Sequence, residues 1–407
     1  MIFKSRDKNY PEPRFSRVWE VPPLIPLALV GGSGGRPPEI NSHQTRGAKK
    51  MKDTFGVVLA GGHGTRFWPK SRVEKPKQLC VIGSGSQTMM EETFERLQGW
   101  IPQDRQILVT QKRYETSLPR GPRWILEPFG KNTAAALTLA ALEIEKTPPF
   151  YGKSVMVSLH ADHKIGDVGG FKKAIEDAVA VARREHLCLV GIKPTYPETG
   201  FGYLEKGPGM VDSPGFQVTR FKEKPPLALA REYLAQGGFL WNSGIFVWSV
   251  DVFLGEVGRF LPDLLSTLRE LLGERTSFSQ VDPVLFEKTY SQIESQAVDQ
   301  GILEKSNRVA CVEGDFGWHD VGSWGNLTQC FPGDQDGNLI WGQSYLKDCQ
   351  GVTVDGSGTK ALVVGVGLQD LVIVATEDAI LVCHKDQAPR MKEVTELLKK
   401  NGYGAIL

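Results

Sequence analysis

The sequence contains no CxxC pair: its six cysteines, at positions 80, 188, 311, 330, 349 and 383, stand far apart. That spacing excludes a zinc ribbon and a disulfide framework, and it fits a reducing cytoplasm. Neither sign of charge is in excess, with 48 Lys and Arg against 47 Asp and Glu. The chain as a whole therefore has no electrostatic attraction for nucleic acid or an anionic membrane, and any anionic ligand must be met by a local site. Long apolar runs are missing too. The longest near the N-terminus, Val21 to Gly32, is interrupted by prolines and is too short to span a bilayer. Glu12, Glu20, Pro22, Pro23 and Pro26 also argue against a secretory signal.

What is present is ordinary globular composition, 41% hydrophobic and 23% charged over 407 residues, enough for one large domain and a smaller one. Residues 1–50 differ: they are rich in Pro, Gly and Arg, show no apolar period of 2 or 3.6, and offer no core. They read as a disordered extension or as a start placed too early, since Met51 immediately precedes the first well-formed strand. From Phe55 short apolar runs (55–60, 106–110, 154–159, 187–190) alternate with helical segments near 132–146 and 170–184. Continuous apolar strands separated by helices indicate a mostly parallel, doubly wound α/β sheet covered on both faces. A long helical stretch is expected over 250–304. After Asp334-Gln-Asp-Gly337 the composition shifts to glycine-punctuated β segments, able to wind as a small β-helix or roll, and ends in an amphipathic helix at 387–400. The expected division is 51–333 for a catalytic domain and 334–407 for a small β-rich C-terminal domain.

The first strand runs through Leu59 and Ala60 into Gly61-Gly62-His63-Gly64-Thr65-Arg66, followed by Lys75-Pro76-Lys77-Gln78. Glycines at the C-terminal end of a strand let backbone N–H groups approach phosphate oxygens, and Arg66 and Lys77 supply the cations that a triphosphate requires. A dinucleotide fingerprint does not fit, because Phe67 replaces its third glycine. Asp162 lies just beyond the apolar run 154–159, at the sheet edge where α/β folds bind ligands, and Asp320 lies in a turn-rich loop between Trp318 and Trp324. Carboxylates converging from distant positions suit Mg2+ held against a phosphate. His160, His163 and His319 flank them without a third ligand in zinc spacing, and read as polar neighbours. Trp241 and Trp248 read as core.

Leu59-Ala-Gly-Gly-His-Gly-Thr-Arg-Phe-Trp-Pro-Lys-Ser-Arg72 with Lys75-Pro-Lys-Gln78 resembles the opening signature of the sugar-phosphate nucleotidyltransferases, and Trp68-Pro-x-Ser-Arg resembles the mannose-1-phosphate guanylyltransferases. The resemblance continues through Glu127-Pro-Phe-Gly-Lys-Asn-Thr133, Ala161-Asp-His163, Glu198-Thr-Gly-Phe-Gly202, Phe221-Lys-Glu-Lys-Pro225, Leu240-Trp-Asn-Ser-Gly244 and Gly314 to Trp324. It departs at His63, Ala135, His160 and Ala297, none of which removes a charge that catalysis needs. It implies a nucleotide site at Leu59, Ala60, Gly61, Gly62, Gly64, Thr65, Glu127 and Asn132, with Glu127 a reader of guanine. It also implies a sugar-phosphate site at Glu198, Gly200, Gly202, Glu223, Lys224 and Asn242, and catalytic roles for Arg66, Lys77, Asp162 and Asp320, the two aspartates holding Mg2+. The implied reaction joins GTP to mannose 1-phosphate. Another hexose phosphate or nucleotide, a silent sugar-nucleotide sensor, and a homodimer through the C-terminal region stay open from sequence.

Overall fold

The computed structural model describes residues 51–407, apart from His63, Tyr151 and Gly152; the expectation for residues 1–50 lies outside them. Among the described residues, ten of the seventeen strands lie between 51 and 314: β1 (Thr54–Ala60), β2 (Gln106–Gln111), β3 (Arg123–Glu127), β4 (Val155–His160), β5 (Lys164–Ile165), β6 (Leu187–Ile192), β7 (Tyr203–Gly209), β8 (Phe216–Lys222), β9 (Phe239–Ser249) and β10 (Val309–Gly314). All but β5 form one nine-stranded sheet in the order β3-β2-β1-β4-β9-β6-β10-β8-β7. β3, β2, β1 and β4 run parallel, as do β6 and β10, while β9 is inserted antiparallel between β4 and β6.

Every residue of β1 is buried, which explains its unbroken apolar run: a strand covered on both faces has no solvent side to alternate with. Its alternate side chains feed two cores. Phe55, Val57 and Leu59 join helices Asn132–Glu145, Val250–Phe260 and Pro262–Leu272 on one face. Val58 and Ala60 join helices Met89–Leu97 and Val168–Ala182 on the other. The helical stretch expected over 250–304 is divided into three helices, restarting at Pro262 and Pro283, and then a turn of π-helix at Asp299–Leu303. Proline is well tolerated at a first helical position and not inside a helix, so it marks the restarts. Trp241 and Trp248 are buried. No helix among the described residues is long and apolar enough to cross a membrane.

After β11 (Trp318–His319), which pairs with β5, the chain forms β12 (Leu339–Gly342), β13 (Ser344–Lys347), β14 (Thr353–Gly358), β15 (Val363–Val366), β16 (Leu371–Thr376) and β17 (Ile380–His384). β12, β14 and β16 stack in parallel, β13 and β15 stack in parallel beside them, and β17 turns back against β16. Successive parallel rungs are the winding of a β-helix. Cys349, Val352, Val354 and Ile373 fill its interior, while Leu339, Trp341, Val372, Val374 and Leu381 share a second core with Phe67, Trp68 and Trp324, to which helix Met391–Lys400 contributes Met391.

Candidate active site

Parallel pairing brings the C-terminal ends of four strands to one edge: Ala60 faces Thr110, Leu59 faces His160, and Gln111 faces Glu127. The glycine-rich turn leaves β1 at this edge and is held from behind by its own carbonyls. Gln78 Nε2 donates to the carbonyls of Ala60 (2.9 Å) and Gly62 (3.1 Å), Thr110 Oγ1 to Ala60 (2.8 Å), Gln111 Nε2 to Gly61 (2.9 Å), and Ser71 Oγ to Gly64 (2.7 Å). In a planar trans peptide the N–H points opposite to the C=O, so the N–H groups of Gly61, Gly62 and Thr65 are turned away from these anchors. That is the arrangement a phosphate requires. Gly64 has φ of 60°, and a Cβ there would lie 2.3 Å from the Lys77 backbone nitrogen, so only glycine fits. Arg66 is exposed beside the turn.

Lys77 joins the two halves of the site. Its buried Nζ donates to the carbonyls of Asp320 (3.0 Å) and Val321 (2.8 Å) and pairs with Asp162 Oδ2 at 3.0 Å. Burying an ammonium without partners costs several kcal/mol, and three oxygens offset that here. Burial alone would raise the Asp162 carboxyl, but the Lys77 ammonium reverses the direction and holds it well below the usual carboxylate range. Asp320 shifts the other way: burial raises it, against Lys77 and Arg66, with Asp162 and Glu198 adding like charge. The same interactions place Arg66, Lys77, Asp162, Glu198 and Asp320 within one electrostatic neighbourhood. The histidines are supports. His163 is pushed down to about 3 by burial and is therefore neutral; its Nδ1 accepts from Trp318 Nε1 (3.2 Å), and its carbonyl accepts from Arg96 (3.0 Å). Burial lowers His160 and His319 as well.

The second half of the site is built on β9 and its neighbours. Asn242 Nδ2 donates to Asp299 Oδ1 (2.9 Å), its Oδ1 accepts from the Gly244 N–H (3.1 Å), and its own N–H reaches the Gly202 carbonyl (2.8 Å). A Cβ on Gly202 would stand 2.5 Å from Glu223 Oε2 and 3.2 Å from Asn242 Cβ, so this glycine leaves room for the two polar side chains to approach. Glu198 Oε1 accepts from the Gly200 N–H at 2.7 Å. Lys224, with φ of 48°, pairs with Glu223 and keeps its ammonium exposed. Asp299 has no role in the sequence reading. Burial and the neighbouring Glu223 raise its carboxyl, and it sets the orientation of the Asn242 amide.

Glu127 is buried at the end of β3, where Oε1 accepts from Tyr290 Oη (2.5 Å) and Oε2 lies 4.0 Å from where a Cβ on Gly61 would be. Burial pushes its carboxyl up to about 7. Asn132 starts its helix at φ of 69° with Oδ1 accepting from Thr133 N–H (2.8 Å), exposed beside the Gly130 turn that approaches Gln111. Glu127 therefore borders the glycine-rich turn at Gly61, while Asn132 lies two residues beyond Gly130. His63 lies outside the described residues.

Comparison with known proteins agrees with this architecture. A family model described as nucleotidyl transferase matches residues 55–337, and one described as a mannose-phosphate isomerase/GMP-like β-helix domain matches 348–398. The mannose-1-phosphate guanylyltransferase of Klebsiella pneumoniae is 34% identical over 85% of this chain and 74% of its own length. That of Escherichia coli K12 is 35% identical over 86% and 74%. A solved structure described as the mannose-1-phosphate geranyltransferase of Thermus thermophilus superposes with a TM-score of 0.76 at 30% identity, covering 85% of this chain and 99% of that one. The chain belongs to the nucleotidyl transferase family, among the mannose-1-phosphate guanylyltransferases.

Proposed function

We propose that the chain transfers GMP from GTP to α-D-mannose 1-phosphate, releasing pyrophosphate and forming GDP-mannose. The observation that carries this reading is the convergence on Lys77: one buried cation touches Asp162 and the 320–321 backbone and packs its own backbone against Gly64 of the phosphate turn. A sugar phosphate is already an anion at neutral pH, so its oxygen can attack the α-phosphorus in line without a general base. The protein's work is alignment and charge. Arg66 and Lys77 hold the departing pyrophosphate, the turn N–H groups hold the triphosphate, and Glu198, Glu223, Lys224 and Asn242 hold the hexose phosphate, with Gly200 and Gly202 close to the ring.

Asp162 and Asp320 are the residues that would hold Mg2+. Asp162 reaches Lys77 through its carboxylate and Asp320 through its backbone carbonyl, which brings both residues to one cation; a pair of carboxylates so placed suits an ion that takes its remaining oxygens from substrate phosphates and water. When bound, Mg2+ supplies charge neutralisation at the reacting phosphates. In this reading residues 51–333 are the catalytic domain and 334–407 the C-terminal domain, a division supported by the two family matches. The compartment is the reducing cytoplasm, in keeping with six free cysteines.

Pyrophosphate release tests the reaction. With Mg2+, kcat/KM should be highest for GTP with mannose 1-phosphate among the four pairings of GTP or ATP with mannose or glucose 1-phosphate. Preference for ATP would overturn the guanine assignment, and preference for glucose 1-phosphate the mannose assignment, because the two hexoses differ only at one hydroxyl. No turnover with any pair would leave a sensor. The reading also includes a homodimer through the C-terminal region, supported by Tyr345, Val364 and Val366 standing exposed together on the paired strands β13 and β15. Sedimentation of the full chain should give twice the monomer mass and Val364→Lys should lower it; a monomer at tens of micromolar, roughly the range of a weak dimer, would refute this version.

A further inference from the structure

The segment Trp68–Arg72 lies between the two catalytic cations, Arg66 and Lys77, yet most of its side chains turn toward the C-terminal region. Lys70 Nζ bonds Asp355 Oδ2 at 2.6 Å and Ser357 Oγ at 2.9 Å. Asp355 is 1% exposed, and its other oxygen accepts from the Ser357 N–H (3.0 Å) and hydroxyl (2.5 Å), so the carboxylate is fully engaged. Arg72 Nη2 bonds Asp378 Oδ1 at 2.7 Å and Thr376 Oγ1 at 3.4 Å. Trp68 Nε1 donates to the carbonyl of Ile406 (2.8 Å), and the Trp68 carbonyl accepts from Trp324 Nε1 (3.2 Å). Between Lys70 and Arg72, Ser71 points the opposite way and holds the Gly64 carbonyl. Two charged neighbours are thus pinned to the β-helix, and the residue between them pins the phosphate turn.

We propose that the C-terminal β-helix is a working part of the nucleotide site, with Asp355 and Asp378 as positioning residues that act through Lys70, Arg72 and Ser71 on the glycine-rich turn. The inference rests on the reading of that turn as the triphosphate site. A backbone cradle works only while its N–H groups keep their directions, and displacements of about 1 Å cost as much as a hundredfold in rate. The coupling is directional: a slackened anchor disturbs the nucleotide turn, whereas the residues around Asn242 and Glu223 have their own supports in Asp299 and Gly202.

The test compares the full chain with Asp355→Asn, Lys70→Met, the two combined, and Arg66→Gln, measuring Tm, kcat and KM for each substrate. Each single anchor variant should raise the KM for GTP about tenfold and leave that for mannose 1-phosphate within about twofold. The combined variant should do no worse than either single one, because both remove the same link. A folded Asp355→Asn with unchanged KM for GTP, an equal rise in both KM values, or additive losses would each overturn the proposal, as would a fall in Tm alone. Should Asp355→Asn fail to fold, Asp378→Asn, at a more exposed partner, should show a smaller rise in the GTP KM, and its absence would count against the proposal. Arg66→Gln separates the premises: if it moves the GTP KM and the anchor variants do not, the latch alone fails; if it does not, the nucleotide reading fails and the inference with it.

Discussion

Asp162→Asn and Asp320→Asn should each lower kcat by about three orders of magnitude at saturating Mg2+, because each keeps the shape of the side chain and removes the charge that would hold a metal against the reacting phosphates. Their effects on the fold should differ. Asp162 is the carboxylate partner of the buried Lys77, so its replacement leaves that ammonium with two neutral carbonyls and should lower Tm. Asp320 meets Lys77 through its backbone carbonyl, which asparagine retains, and its carboxyl is already disfavoured by burial, so Tm should hold. Steady-state pyrophosphate assays with thermal melts check both. Near-normal turnover in both variants would remove them from the metal role; equal losses of Tm would contradict the different attachment to Lys77.

The parts of this architecture that sequence reveals are those coded locally. The fully buried strand Thr54–Ala60, the glycines after it, and Asp162 just past the strand Val155–His160 need only a few neighbouring residues to be recognised. The parts it hides are contacts made at long range by ordinary residues. Gln78, Thr110 and Gln111 hold the turn carbonyls, yet a glutamine or threonine at a strand end has no distinctive pattern. Asp299 is 57 residues from the Asn242 it orients, and Lys70 is 285 from Asp355. The breaks between the helices of 250–304 do carry local signals, prolines at first helical positions at 262 and 283 and the mostly polar stretch 273–282 between two of the helices. Lys77 shows both cases: its charge is legible beside the glycines, while its burial against the 320–321 backbone is not.

Glu127→Gln should reduce kcat/KM with GTP by about ten- to a hundredfold and leave ATP nearly unchanged, since a carboxylate accepting from the guanine N1–H and amino group contributes about 1–3 kcal/mol of base discrimination. The pH dependence makes the test sharper. With the carboxyl pushed up to about 7 by burial, it holds a proton in acid and cannot accept twice. The GTP to ATP ratio of kcat/KM should therefore fall in the native chain as pH drops from 8 to 6, and stay flat in the variant; both nucleotides share the triphosphate, whose own titration cancels in the ratio. Stability follows from the same shift. An unfolded glutamate titrates near 4.3, so between about 4.5 and 7 the native state binds more protons than the unfolded one, and stability falls as pH rises. The total is of order 3 kcal/mol for a shift from 4.5 to about 7. Glutamine keeps an oxygen for Tyr290 and has no such slope, so its Tm relative to the native chain should improve from pH 5 to pH 8. The two readouts are independent: a stability slope with equal loss on every nucleotide would make Glu127 a structural partner of Tyr290, whereas selective loss with GTP would make it the base reader.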